Sequence, residues 1–144
     1  VQGPFGTDLA YAYNTAEAPG LFQFNGEGQI AAVHASGQPV MPSVAGGLPA
    51  KVGQLISIFG TGFGATSPRV ESGVIYSGAA PLVAKGAVEV TVGGVPAIVH
   101  FIGLSGAGLN QMNLQVPVVP AGNHEILMTI NGVSVQFGGY ITVQ

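Results

Sequence analysis

A glycine cluster is the stretch of this sequence whose residue types and spacing come nearest to a chemical motif. Residues 60–65 read GTGFGA, which fits the loose pattern G-x-G-x-x-A, and the apolar run 55–59 leads into them. In nucleotide-binding proteins such a turn follows a strand and opens a helix, whose N-terminus binds the pyrophosphate. The cluster therefore raises the question of whether the protein binds a dinucleotide.

The residues after the cluster argue against nucleotide binding. They read TSPRVESGVIYSG, in which Pro68, Gly73 and Gly78 interrupt any helix. Because the phosphate site needs the N–H groups and the dipole of a following helix, the required context fails. Gly60 and Gly62 instead predict a turn or bulge at a strand end, where a residue without a Cβ fits. Phe63 is then expected to close one end of a sandwich.

Other side chains able to do acid–base, nucleophilic or metal chemistry are few and dispersed. The chain has no cysteine, which excludes thiol catalysis, disulfides and Cys-type zinc sites. Neither the histidines nor the acidic residues show metal-ligand spacing. They are His34, His100 and His124, and Asp8, Glu17, Glu27, Glu71, Glu89 and Glu125. Ser57 and Ser105 have no evident base nearby, so no catalytic, metal or cofactor site and no enzymatic activity is predicted.

Charge limits the classes of partner. Only 6% of the 144 residues are charged, against about 25% in a typical soluble domain. The three basic residues, Lys51, Arg69 and Lys85, are scattered, and they cannot supply the dense basic footprint of a nucleic-acid site. No apolar run approaches the ~20 residues of a membrane-spanning helix. The sequence thus predicts neither nucleic-acid binding nor a membrane span.

The elements expected to position these residues are short β-strands. Helical periodicity is nearly absent, and 24 glycines and 10 prolines interrupt the chain. Two hairpins share their turn chemistry, VTVGGVPA at 90–97 and MTINGVSV at 128–135, because Gly-Gly and Asn-Gly suit type I′ turns. Strand patterns separated by frequent turn signals predict an all-β, immunoglobulin-like β-sandwich with an extended N-terminal strand or arm.

Two strands carry expectations about individual side chains. Residues 110–116 alternate apolar and amide side chains, which predicts a half-exposed antiparallel strand. The apolar set is Met112, Leu114 and Val116, and the amide set is Gln111, Asn113 and Gln115. Residues 95–102 are expected to return along 87–92 after Gly93-Gly94. His100 is expected to be partly buried there, since it shares a strand face with Ile98 and Ile102.

Longer motifs resemble a known family. The segments KVGQLISIFGTGFG (51–64), AVEVTVGGVPAIVHFIG (87–103) and MNLQVPVVPAGNHEILMTINGVSV (112–135) look like an IPT/TIG-type immunoglobulin-like domain. Together with APGLFQF (18–24) they resemble more closely a Solibacter-type uncharacterised C-terminal domain family, over residues 18–144. The resemblance implies an immunoglobulin-like fold and a place at the end of a secreted bacterial protein. It implies no reaction.

Three regions are predicted from these patterns: an N-terminal arm at 1–17, extended strands and a connection at 18–48, and the β-sandwich at 49–144.

The arm predicts a mode of assembly. Leu9, Tyr11 and Tyr13 alternate onto one face, which is typical of a donor strand that pairs with an open sheet edge. Head-to-tail addition of each arm to the next copy builds a filament. Phe22 and Phe24 complete the predicted assembly interface. Whether the arm pairs within its own chain or with a neighbour stays open.

The function expected is therefore that of an extracellular structural subunit whose partners are copies of itself. Its low charge favours this hypothesis, because a lone soluble molecule usually keeps a charged surface. The alternative is a cell-surface or secreted binding or adhesion module for a protein or a glycan, such as a surface polysaccharide. For a glycan, Tyr11, Tyr13, Phe22 and Phe24 would form the platform, although the chain has no tryptophan. Neither hypothesis involves a cofactor.

Overall fold

The fold consists of short antiparallel strands in two sheets. The structure is a computed structural model, and it describes residues 20–24, 26–64, 66, 77–82, 87–106, 109–135 and 139–144. Within these residues lie a 3-10 helix, Ser43–Ala45, and eleven strands. The strands are β1 Gly20–Leu21, β2 Ala32–Val33, β3 Leu55–Thr61, β4 Ser77–Pro81, β5 Val88–Val92, β6 Val95–Pro96, β7 Ile98–Gly106, β8 Leu109–Gln115, β9 Gly122–Ile130, β10 Val133–Ser134 and β11 Gly139–Val143. The predicted arm, 1–17, lies outside the described residues.

Strand β8 forms the middle of the first sheet. The strand order is β1-β3-β8-β7-β4, and β2 also pairs with β3. Along one edge β8 pairs with β3, from Leu55 opposite Gln115 to Gly60 opposite Asn110. Along the other edge it pairs with β7, beginning with Ile98 opposite Gln115. Both edges of β8 are therefore occupied by backbone hydrogen bonds.

Strand β9 forms the middle of the second sheet. It pairs with β5 along one edge, from Val88 opposite Ile130 to Val92 opposite Ile126. Strands β10 and β11 share its other edge, and β6 pairs with the far edge of β5.

The core lies between the two sheets. Alternate side chains of the central strands are buried there, because strand side chains point to opposite faces in turn. The buried set on β3, β8, β5 and β9 is Ile56, Ile58, Met112, Leu114, Val90, Val92, Ile126, Met128 and Ile130. This arrangement confirms the predicted all-β, immunoglobulin-like sandwich and the half-exposed strand at 110–116.

The two predicted hairpin turns have the expected backbone. Gly93 and Gly94 have φ of 59° and 84°, and Asn131 and Gly132 have φ of 51° and 80°. Positive φ at both central residues is the requirement of a type I′ turn, so the prediction from Gly-Gly and Asn-Gly is confirmed.

The strand predicted at 95–102 is wrong beyond Pro96. Only Val95–Pro96 pairs with β5, and Ile98–Gly106 belongs to the other sheet as β7. Pro96 has no N–H with which to extend the ladder. The chain crosses between the sheets at Ala97, whose N–H still donates to the Val90 carbonyl at 3.0 Å.

The expected environment of His100 is also wrong. The register of β7 shifts between Val99 and Phe101, which marks an irregularity of the β-bulge type. Ile98 is consequently 61% exposed while Ile102 is 3% exposed. His100 itself is exposed, so His100 and Ile98 do not share the buried face of Ile102.

The segment between β1 and β3 ties the two sheets together. The Phe22 N–H donates to the Phe59 carbonyl of the first sheet at 3.0 Å. The Ile30 N–H donates to the Tyr140 carbonyl of the second sheet at 3.0 Å, and the Ala50 N–H donates to that of Thr142 at 2.9 Å. This segment is thus hydrogen-bonded to both layers of the sandwich. In the described part of the chain no helix is long and apolar enough to cross a membrane.

We expect Gly60→Ala to destabilise the fold. A Cβ at Gly60 would meet the carbonyl oxygen of Gly20, and it would lie 3.0 Å from the ring of Phe63. Overpacking of this kind costs about 1–3 kcal/mol, and urea denaturation measures the loss in unfolding free energy. The control is Thr61→Ala at the exposed neighbouring position, which should change stability by less than ~0.5 kcal/mol. Equal stability of the two variants would contradict the expectation.

Candidate binding face

The first histidine is a structural link within the described fold. His34 is 5% exposed. Its Nε2–H donates to the carbonyl oxygen of Leu48 at 2.6 Å, and its Nδ1 accepts from the amide Nε2 of Gln54. Both ring nitrogens are therefore occupied in holding residues 34, 48 and 54 together.

The other candidate acid–base and nucleophilic residues lie apart. His124 Nε2–H donates to the Pro120 carbonyl at 2.6 Å, and His100 Nε2 lies 2.9 Å from Gln115 Oε1. Ser57 Oγ donates to an amide, Asn113 Oδ1, at 2.9 Å. Among the described residues no group of three or more His, Cys, Asp or Glu side chains could hold a metal ion. The described geometry therefore brings no nucleophile and base together.

The glycine cluster forms a turn that places Phe63 in the core. Gly62 and Gly64 have φ of 73° and 116°, a region that favours glycine, and Phe63 is 0% exposed. The Phe63 N–H donates to Asn110 Oδ1 at 3.2 Å, and Asn110 Nδ2 donates to the Gly103 carbonyl at 3.2 Å. One buried amide thus fastens the turn to β7 and β8, which gives the cluster a structural role.

A row of amide side chains lies on the opposite face of β8. Asn110, Met112 and Leu114 point into the sandwich, so Gln111, Asn113 and Gln115 point outward. We call these last three residues the amide row. Gln111 Nε2 donates to Asn113 Oδ1 at 2.7 Å. The same oxygen accepts from Ser57, so the row is linked to β3 as well as along β8.

Each residue of the amide row uses only part of its hydrogen-bonding capacity. Gln111 donates, Asn113 accepts, and Gln115 Oε1 accepts from His100. Three groups have no protein partner in the described part of the chain: Gln111 Oε1, Asn113 Nδ2 and Gln115 Nε2. An amide carries both a carbonyl acceptor and two N–H donors. The row therefore presents one acceptor and two donors to solvent.

Apolar side chains flank the amide row on both neighbouring strands. Directly opposed residues of an antiparallel pair face the same side of the sheet. The flanking residues so placed on β3 and β7 are Leu55 and Ile98 opposite Gln115, Phe101 opposite Asn113 and Phe59 opposite Gln111. Leu55 is 46% exposed and Ile98 is 61% exposed. We call the amide row, these four residues and Ser57 the outer face.

The outer face is uncharged. The six described strands of the first sheet contain no Asp, Glu, Lys or Arg. The strands of the second sheet, by contrast, carry Glu89 and Glu125, both exposed. His100 is the one titratable side chain on the described strands of the first sheet.

The predicted assembly residues are only partly within the described chain. Leu9, Tyr11 and Tyr13 lie outside it. Phe22 and Phe24 are 42% and 41% exposed. Phe22 follows the buried Leu21, and its backbone is bonded to Phe59, so it continues the apolar border of the outer face beyond β3.

Comparison with known proteins identifies the family. The IPT/TIG domain model matches residues 39–143. This chain belongs to the IPT/TIG domain family. Neither the curated proteins nor the solved structures give a significant match. The immunoglobulin-like sandwich of this IPT/TIG domain agrees with the resemblance found in its sequence.

Sequence reasoning missed the outer face of this IPT/TIG domain. The alternating amides of residues 110–116 carry the signal, but by themselves they indicate only a half-exposed strand. The apolar flanks come from β3 and β7, and Ser57 lies 56 positions from its partner Asn113. Only strand pairing brings these residues onto one surface.

We expect Asn110→Leu to cost about 2–4 kcal/mol of unfolding free energy. The change removes both hydrogen bonds of a side chain that is 6% exposed, and it leaves the Phe63 N–H without its acceptor. Each buried unpaired group costs about 1–3 kcal/mol. The matched control is Asn113→Leu on the half-buried outer face, which should cost less than ~1 kcal/mol. Urea denaturation of both variants measures the difference, and a reversed order would refute this account of the turn.

Proposed function

We propose that this chain is a non-catalytic binding or adhesion module of the cell exterior, which holds its ligand on the outer face. The observation that supports the proposal is the amide row, in which three groups that lack a partner among the described residues point away from the core. Ligand sites commonly combine an apolar surface with a small number of placed polar groups. The ligand classes that fit such a surface are a glycan, such as a surface polysaccharide, and a protein.

Two further features support this assignment. IPT/TIG domains are immunoglobulin-like domains that often serve binding or adhesion. In addition, each of the three histidines is hydrogen-bonded to a carbonyl or amide oxygen and not to a nucleophile, which favours a non-catalytic role. The location outside the cell remains part of the proposal, and the resemblance of residues 18–144 to the Solibacter-type C-terminal domains supports it.

An array of neutral glycans, acidic glycans and extracellular proteins tests the proposal with the labelled full chain. We expect at least one class to bind, and Asn113→Arg to weaken that binding at least tenfold by placing a bulky charge among the uncharged amides. Thr129→Arg is the matched control, because Thr129 is half-buried on the central strand of the second sheet. Absence of binding, or equal loss in the two variants, would refute the outer face as the site.

A second candidate function is self-assembly through the N-terminal arm. The observation that favours it is the exposure of Phe22 and Phe24, 42% and 41%, a few residues after the predicted arm. In this proposal Leu9, Tyr11 and Tyr13 add a strand to a sheet edge of another copy, since an open edge offers unpaired backbone groups. Head-to-tail addition then forms a filament.

Deletion of residues 1–17 should abolish assembly if the arm is the donor strand. We expect filaments of the full chain in negative-stain electron microscopy and single particles of the deletion variant. Tyr11→Asp with Tyr13→Asp should act like the deletion, because it places charge on the inserted face, whereas Tyr11→Phe with Tyr13→Phe should preserve the filaments. Monodisperse particles of the intact chain at high concentration would exclude this function.

A further inference from the structure

We infer that the ligand of the outer face is a neutral polysaccharide chain, which lies along β8. The inference rests on the proposed function of this face and names the chemistry that the face recognises. It follows from the charge, the hydrogen-bonding groups and the dimensions of the surface.

The absence of charge on the first sheet selects an uncharged ligand. Its described strands contain no Asp, Glu, Lys or Arg, so neither an anionic nor a cationic ligand would find an opposite charge there. Recognition of acidic groups normally relies on Arg or Lys. Acidic polysaccharides, nucleic acids and charged peptides are therefore poor partners for this surface.

The unpartnered groups of the amide row select a ligand that both donates and accepts. Gln111 Oε1 needs a donor, while Asn113 Nδ2 and Gln115 Nε2 need acceptors. A hydroxyl group supplies both capacities. The hydrogen bond between His100 and Gln115 Oε1, at 2.9 Å, orients the Gln115 amide with its N–H donors outward. A polyhydroxylated chain satisfies all three residues without any charge.

The dimensions of the row favour a narrow ligand over a protein partner. Four residue steps at ~3.4 Å make the row about 14 Å long, and two strand spacings of ~4.8 Å separate β3 from β7 by about 10 Å. The resulting strip, on the order of 140 Å², is wide enough for one extended chain, whereas a protein partner burying ~800 Å² would have to extend over β1, β2 and β4 as well. The length nevertheless exceeds a single sugar ring, so an extended chain fits better than a monosaccharide.

The strand pairing excludes a peptide strand as an additional member of the sheet here. Both edges of β8 are already bonded, to β3 and to β7, so a ligand on this face meets side chains only. The flanking Leu55, Ile98, Phe59 and Phe101 supply apolar contact for the C–H faces of sugar rings, and the amides between them supply the polar contacts. Apolar and hydrogen-bonding groups thus lie side by side on the outer face, as C–H faces and hydroxyl groups do on a polysaccharide.

Affinity gel electrophoresis of the full chain tests the inference directly. The probes are hydroxyethyl cellulose, galactomannan, arabinoxylan and laminarin, with alginate and polygalacturonate as acidic counterparts. We expect at least one neutral polymer, and neither acidic polymer, to retard the protein. The near-isosteric double change Gln111→Met with Asn113→Leu should weaken the retardation by about tenfold, because it removes the hydrogen-bonding groups and keeps the volume. Thr129→Val, on the second sheet, should leave it unchanged.

The possible results separate this inference from the proposed function. No retardation by any neutral polymer, or stronger retardation by an acidic one, overturns the inference. If the array then shows binding of a protein that Asn113→Arg abolishes, the proposed function stands without the glycan. If no probe binds through the outer face, both fail. Thermal melting checks that the double variant folds, and Gln115→Met replaces it if it does not.

Discussion

Strand β8 is hydrogen-bonded along both of its edges, to β3 and to β7, and this double pairing fixes the direction of every side chain on it. A shift of the pairing register by one residue would move every side chain of β8 to the opposite face of the sheet, because strand side chains alternate between the faces. Met112 and Leu114, both 0% exposed, would then leave the core, and the amide row would enter it without partners. The burial of the apolar set therefore also determines where the amides lie.

Asn110 of β8 also holds the glycine-rich turn that follows β3. It is the one amide of β8 that points inward, and it is buried with both ends bonded. Its oxygen holds the N–H of Phe63, which lets the glycine-rich turn pack its aromatic ring in the core. Inward and outward amides on β8 thus differ in their hydrogen-bond partners. The inward amide is satisfied by backbone, whereas the outward ones are satisfied in part by each other.

The sequence predicted those features that depend on neighbouring residues. The alternation of residues 110–116 and the turns at Gly93-Gly94 and Asn131-Gly132 arise from local periodicity and from φ preferences, and the structure contains all of them. The change of sheet at Ala97 and the irregularity beside His100 depend on how two layers pack, which no local pattern encodes. The link from Asn110 to Phe63 spans 47 positions. The outer face itself combines three strands, so its composition emerges only with the fold.

The two functions proposed for this chain use different groups of the sandwich. Strand addition by an arm requires the backbone groups of a sheet edge, whereas a ligand on the outer face contacts side chains in the middle of the sheet. Low charge favours both functions. A charged strand would repel the same strand of another copy, and a charge on the outer face would lose water without gaining a counter-ion when a neutral ligand binds.

A surface so poor in charge still needs water-binding groups, and the ends of Gln111, Asn113 and Gln115 that lack a partner in the described chain provide them. When a polyhydroxylated ligand displaces that water, each amide exchanges one hydrogen-bond partner for another. The net gain per bond is then modest, so affinity must come from several such exchanges along an extended chain together with the apolar contacts beside them.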